Sequence, residues 1–308
     1  MTLSVVTTLY KSKNYLEVFL TEIITSIETI DIKDFELIFV NDGSPDNSVA
    51  YLLERKKEIS QIKVLDLSRN FGHHYAIQAG LNYASGDFVF LIDNDLETPP
   101  SFLTTCYNQM LHNPQLDVVY GYQETRKGNF IEKNFGSIFW VLINKLSDTK
   151  IPHNILTERL MTKQYVGELL RLQDANLFLG GMMHWVGFNQ LGIAVQKGQR
   201  EGASTYTIKK RAELMLQAIT SFSGKPLEWL FYLGLATSFF SFAFLMFLAI
   251  KKAIMQDQVQ LGWTSIVAIN VLILGIISTF LGLIGIYIYK IFRQVQGRPN
   301  AIIKKIYE

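Results

Sequence analysis

The feature that most constrains this chain is an apolar strand that ends in two acids. Phe88 to Ile92 is a continuous apolar run, the pattern of a strand covered on both faces. It stops at Asp93-Asn94-Asp95, and Pro99-Pro100 then end the strand and suit the first turn of a helix. Parallel strands flanked by helices are buried in this way, and open α/β sheets place ligands beyond the carboxyl ends of such strands. Two hard oxygen donors one residue apart suit Mg2+ or Mn2+, which bind through one or two carboxylates plus a substrate's phosphates. Taken alone, D-x-D reads equally well as two turn-capping acids, because so short a motif recurs by chance.

The flanking sequence supplies the sheet. Leu3 to Thr8, Phe35 to Val40 and Ile62 to Leu67 are strand-like runs rich in β-branched and aromatic residues. Between them, Leu16, Phe19, Leu20, Ile23, Ile24 and Ile27 recur at helical spacing. Asn41-Asp42-Gly43-Ser44-Pro45-Asp46 follows the second strand, and Asp46 or Ser44 can cap the next helix. Ser68 to His74 leads into a helix from about Tyr75 to Ala84. This alternation predicts a mainly parallel α/β sheet with right-handed crossovers. Further on, the pattern predicts a helix over Phe102 to Leu111, a strand over Val118 to Tyr122, a helix over Thr162 to Leu172, and helix then strand within Ala175 to Gln199. Phe130 to Leu146 is amphipathic between Lys133 and Lys145, and reads as core-facing or as a membrane-surface helix.

Composition excludes some classes. A net charge of +2 gives no electrostatic footprint for nucleic acid. The one cysteine, Cys106, rules out an internal disulfide or a cysteine zinc site and suits a core position. Hydrophobic residues make up 49% of the chain but are unevenly spread. Trp229 to Ile250 carries no charge over about 22 residues and Leu261 to Tyr289 none over about 29, lengths that match a hydrocarbon core of about 30 Å. Lysine and arginine cluster before the first run and after the second, with only Lys251 and Lys252 between them. By the positive-inside rule both termini face the cytoplasm, as the missing basic n-region also implies. The expected layout is a catalytic domain over 1–207, an amphipathic juxtamembrane helix over 208–226 opened by Lys209-Lys210-Arg211, spans over 227–250 and 261–289 joined by an external loop over 251–260, and a cytoplasmic tail over 290–308. Such a chain would be a multi-pass protein of the inner (plasma) membrane.

The candidate site is then assembled from strand ends. Thr8 and Tyr10 follow the first strand, Asp42 the second, and Asp93 and Asp95 the central one, all along one edge. Neither G-x-G-x-x-G after the first strand nor G-x-x-x-x-G-K is present, so a diphosphate must rely on a metal rather than a backbone cradle. The inference is a nucleotide-diphosphate substrate.

Six segments carry a resemblance: Phe39 to Asp46, Leu67 to Gly72, Asp93 to Pro100, Trp185 to Phe188, Ser221 to Ser223 with Pro226-Leu227, and Gly297 to Pro299. Together they resemble the family-2 glycosyltransferases with the A-type nucleotide-sugar fold. More narrowly, the chain is similar to the membrane-anchored polyprenyl-phosphate glycosyltransferases related to dolichol-phosphate-mannose synthase. The resemblance implies that Asp42 and Asp93 hold the nucleoside. It implies that Asp95, with Asp93 beside it, ligates Mg2+ or Mn2+. Arg200, with Ser204 and Lys209, would meet phosphate groups, and Asp95 and Arg200 are the catalytic candidates. Thr8, Tyr10, Asn94, Arg126 and Arg159 complete the substrate-binding set, although Arg159 reads equally as a structural ion-pair partner.

The implied reaction is an inverting transfer from a nucleotide sugar to undecaprenyl or another polyprenyl phosphate, serving cell-envelope polysaccharide, in an enzyme that some relatives form as a homo-oligomer. Two alternatives stay open: a polysaccharide synthase, against which the Q-x-x-R-W element is absent, and a catalytically silent scaffold. One departure bears on the latter: Thr157 stands where many relatives carry an acid.

Overall fold

The structure is a computed structural model that describes residues 1–123, 152, 154–175, 177–196, single positions between 227 and 250, and 263–308. The first half alternates as the sequence predicts: β1 (Thr2–Leu9), α1 (Leu16–Thr29), β2 (Asp34–Asn41), α2 (Ser48–Arg55), β3 (Ile62–Leu67), α3 (His73–Tyr83) and β4 (Phe88–Leu91). Then come α4 (Phe102–His112), β5 (Val118–Tyr122), β6 (Ile155–Thr162), α5 (Lys163–Arg171), α6 (Leu179–Trp185), β7 (Gln190–Ala194), α7 (Trp263–Val295) and β8 (Ile303–Tyr307).

The strands form one eight-stranded sheet in the order β7-β5-β6-β4-β1-β2-β3-β8. β3, β2, β1 and β4 are mutually parallel, and β7 runs parallel to β5. β6 is antiparallel to both its neighbours, and β8 is antiparallel to β3. Alternate side chains of the central strands feed two cores. Val5, Phe39 and Phe90 pack with residues of α1 and α4 on one face. Val6, Ile38, Val40 and Leu91 pack with Ala76, Ile77 and Leu81 of α3 on the other.

Two strands were not foreseen. β6 was given no assignment by the sequence pattern, because its Glu158 and Arg159 are charged yet buried. β8 lies within the expected tail. Its lysines suit an edge strand, where charge blocks further pairing. The approach to β8 is stitched to the domain by the Gln294 amide, which donates to the Gln173 carbonyl at 2.8 Å, and by Asn300, which donates to Gln78 at 2.8 Å.

Among the described residues no helix is long and apolar enough to cross a membrane. This corrects the expectation of two C-terminal spans and of a multi-pass inner-membrane protein. That expectation rested on missing charge over 227–250 and 261–289; only single positions of the first run are described. α7 carries Asn270, Gly282 and Gly285, and continues through Lys290 and Arg293. The Asn270 side-chain amide donates to the Ile266 carbonyl one turn back, at 2.9 Å. The amphipathic segments 130–146 and 208–226 and the loop 251–260 lie outside the described residues.

The seat of α3 on the sheet depends on Gly80. A Cβ there would lie 2.5 Å from Val6 Cγ1 and 2.8 Å from Val40 Cγ2. Gly80→Ala gains up to about 1 kcal/mol of helix propensity but overpacks the core at a cost of about 1–3 kcal/mol. The expected net result is a destabilisation of about 1–2 kcal/mol, read as a lower urea midpoint.

Candidate active site

Strand register brings the candidate residues to one edge. Leu9 pairs with Asn41, and Val6 pairs with Leu91. Asp42 therefore lies one residue past β2 and Asp93 two residues past β4, with Thr8 and Leu9 between them.

Asp42 is buried, and both carboxylate oxygens are engaged. Oδ1 accepts the backbone N–H of Phe71 at 2.7 Å, and Oδ2 accepts that of Gly72 at 3.0 Å. Its carbonyl accepts the Asn70 side-chain amide at 3.0 Å. The two turns touch closely: Gly43 has φ +61, and a Cβ there would lie 2.6 Å from the Asn70 nitrogen. Asp42 thus fixes the turn from which α3 begins.

The next residue, His73, reaches across the site. Its Nδ1 lies 3.1 Å from Thr8 Oγ1, and its Nε2 lies 3.5 Å from Asp93 Oδ1. Burial lowers its pKa from the usual histidine value, against the opposing pull of Glu158, Asp42 and Asp95. The sequence pattern alone assigns this histidine no role. The available signal was its place, at the head of the helix that follows β3 on the ligand edge.

Asn94 is buried and ties the acidic loop to β1, its amide donating to the Thr8 carbonyl at 2.8 Å. Asp95 Oδ1 accepts the Glu97 N–H at 3.1 Å, across Leu96 in a left-handed conformation at φ 60. Tyr10 is exposed. Lys11, at φ 56, donates its N–H to Ser44 Oγ at 2.8 Å.

Asp46 ties the same loops together. Its Oδ1 accepts the hydroxyls of Ser44 and Ser48, each at 2.6 Å, and the Ser48 N–H at 3.2 Å. Its Oδ2 accepts the Lys13 N–H at 3.1 Å. Asp46 therefore caps the start of α2, as the sequence predicts.

On the other flank, Leu91 pairs with Arg159, so Thr157 stands level with Asp93. Arg159 is buried. Its guanidinium donates to the Thr157 carbonyl at 3.0 Å and the Leu156 carbonyl at 2.9 Å, and lies over the Tyr120 ring. It braces the end of its own strand, and burial lowers its pKa. Thr157 and Arg159, with His74, Phe178 and Leu179, line a cavity of about 180 Å3. Arg126, Arg200, Ser204 and Lys209 lie outside the described residues.

Among the described residues no group of three or more His, Cys, Asp or Glu forms a metal cage. Asp93 and Asp95 instead match the donor set of a cation held by one or two carboxylates and completed by a substrate's phosphates. The residues present fit Mg2+ or Mn2+ in that manner.

A family model described as glycosyl transferase family 2 matches residues 4–170. A Mycobacterium tuberculosis protein, described among putative glycosyltransferases, is 38% identical over 309 residues, covering 100% of this chain and 89% of that protein. A bactoprenol glucosyl transferase of Shigella phage SfII is 29% identical over 307 residues, covering 99% and 98%. Among solved structures, a mannosyltransferase from Pyrobaculum calidifontis in complex with GDP-Man and Mn2+ superposes with a TM-score of 0.50 at 14% identity. That match covers 71% of this chain and 63% of the other, and it shows a shared A-type α/β fold.

Partial burial would raise the Asp46 pKa, but the hydroxyls of Ser44 and Ser48 and the N–H groups of Lys13 and Ser48 outweigh it and hold the carboxyl at about 2. A folded pKa below the unfolded 3.8 contributes stability that is full above about pH 4 and is lost as the pH falls towards 2. Asp46→Ala is therefore expected to cost about 1–2 kcal/mol at pH 7. In urea unfolding at a series of pH values, the gap between wild type and variant should close across that acid window.

Proposed function

The chain belongs to glycosyl transferase family 2, and from that premise we propose that it transfers a sugar from a nucleotide-diphosphate sugar to a polyprenyl phosphate. That it is a glycosyltransferase follows from the family itself and sets aside the silent scaffold. The observation that carries the finer reading is the Asp93-Asn94-Asp95 loop. It is anchored through Asn94 to β1 at the carboxyl edge of the parallel strands, beside the turn held by Asp42. The lipid acceptor is supported by likeness, over nearly the whole chain, to a protein named for glucosyl transfer to bactoprenol.

The chemistry asks little of a base. A phosphate monoester has a second pKa of about 6 and is largely dianionic at neutral pH. One of its oxygens attacks the anomeric carbon in line, the bond from that carbon to the diphosphate oxygen breaks, and the configuration inverts. Mg2+ or Mn2+, when bound, neutralises charge on the departing diphosphate. Asp93 and Asp95 supply the carboxylates for it. Asn94 keeps their loop in register with β1. Asp42 shapes the nucleoside wall through the Phe71–Gly72 turn that it holds. Arg200, Ser204 and Lys209 are assigned to phosphate groups of donor or acceptor. Thr157, level with Asp93, leaves the acceptor to arrive already ionised, since a hydroxyl is no general base.

The test uses purified protein, undecaprenyl phosphate in detergent and a panel of radiolabelled nucleotide sugars. Label is expected in the organic extract with Mg2+ or Mn2+, and none with EDTA. Asp95→Ala should lower the rate by at least about 100-fold. Equal labelling with EDTA, or an unimpaired Asp95→Ala, would overturn the assignment of the acidic loop. Label that stays only in a water-soluble polymer would point to a polysaccharide synthase instead.

A further inference from the structure

We propose that the cleft between α3, the loop after α5 and the segment after α7 is a second ligand site, which binds a hexose phosphate through Arg293 and Arg298. The Gly297-Arg298-Pro299 motif has no part in the donor site, and the cleft gives it one. Gly297, at φ 58, ends α7 with its N–H donating to the Gln294 carbonyl at 3.3 Å, and Pro299 cannot continue the helix. Arg298 thereby leaves the helix. With Arg293, from the last turn of α7, it lines a cleft of about 370 Å3. Sites for small molecules commonly have volumes of about 300–1,000 Å3. Another wall is one face of α3, where Tyr75, Gln78, Ala79 and Asn82 follow at spacings of three and four. None of Asp42, Asp93 and Asp95 lines the cleft, and it shares no lining residue with the cavity at Thr157.

The frame of the cleft is braced by its own hydrogen bonds. The Gln294 side chain donates to the Gln173 carbonyl and accepts the Ala175 N–H, each at 2.8 Å. The Tyr75 hydroxyl donates to the Ala175 carbonyl at 3.1 Å. Asn300 donates to Gln78 at 2.8 Å and to the carbonyl of the exposed Asp174 at 3.1 Å. None of the lining residues is acidic, and among the described residues Arg298 has no hydrogen-bond or ion-pair partner. A guanidinium is permanently charged, and its planar fork of donors matches a phosphate. Two of them on walls without a carboxylate select an anion. The other polar groups are mostly carboxamides, with Asn82 facing no partner among the described residues. A carboxamide both donates and accepts, which suits the hydroxyls of a sugar better than a bare ion.

Isothermal titration calorimetry on the full chain tests this with glucose 1-phosphate, glucose 6-phosphate, inorganic phosphate and glucose as probes. The titrations are run in EDTA and repeated on Asp95→Ala, so that a metal-dependent donor site contributes nothing and its failure leaves the result unaffected. Saturable binding of at least one hexose phosphate is expected, with inorganic phosphate at least about 10-fold weaker and glucose undetected. Arg298→Ala should weaken binding by about 10- to 100-fold, and Asn82→Asp, which sets a carboxylate in the wall, should abolish it. Lys57→Ala removes the same charge outside the cleft and should change nothing. Arg298 and Asn82 are exposed, so Tm should be unchanged in both cleft variants. No saturable binding of either hexose phosphate up to about 10 mM would overturn the proposal, as would inorganic phosphate binding equally tightly. So would wild-type affinity in Arg298→Ala or in Asn82→Asp.

Discussion

The buried carboxylate of Asp42, accepting two backbone N–H groups from the turn at Phe71 and Gly72, is the interaction on which the site depends. A charged acceptor inside a protein must be paired, and charge-assisted bonds to backbone donors are among the stronger ones available. The pairing joins the end of β2 to the start of α3 and closes Gly43 against Asn70. From that junction α3 runs back over Val6 and Val40, and its first side chain is delivered between Thr8 and Asp93. The end of β2 and the start of α3 are thereby joined by one carboxylate and two amides, before any ligand is considered.

Legibility followed the strength of local pattern. β1 to β4 were readable because their apolar runs are buried on both faces and bounded by turn residues. Asp46 was readable as a cap because its place before Ser48 determines which N–H groups it meets. β6 was not, since buried Glu158 and Arg159 break the alternation that marks a strand, and Arg159 is satisfied by carbonyls of its own strand. β8 was taken for a tail because five residues with paired lysines acquire strand character only from the edge of β3. The two spans expected from missing charge are not found: among the described residues no helix meets the requirement for crossing a membrane.

The site was legible as a place more than as a set of roles. Strand ends alone brought Thr8, Asp42, Asp93 and Asp95 to one edge. Sequence could not say that the Asp42 oxygens are already engaged by backbone, because the partner turn lies about 30 residues away and only the fold presents it. Nor could it single out His73 from His74, since neighbouring residues at a helix start point in different directions. One faces the acidic loop and the other the loop before α6.

Under the proposed function, the edge holds a charged leaving group rather than generating a nucleophile. The acceptor's own ionisation would then supply the nucleophile, which is compatible with a threonine at 157. The most direct measurement is the anomeric configuration of the sugar in the purified lipid product, by proton NMR with a donor of known configuration. A single in-line displacement requires a glycosyl phosphodiester whose anomeric centre is inverted relative to the donor. A retained configuration, or a sugar joined to anything other than the polyprenyl phosphate, would contradict the account.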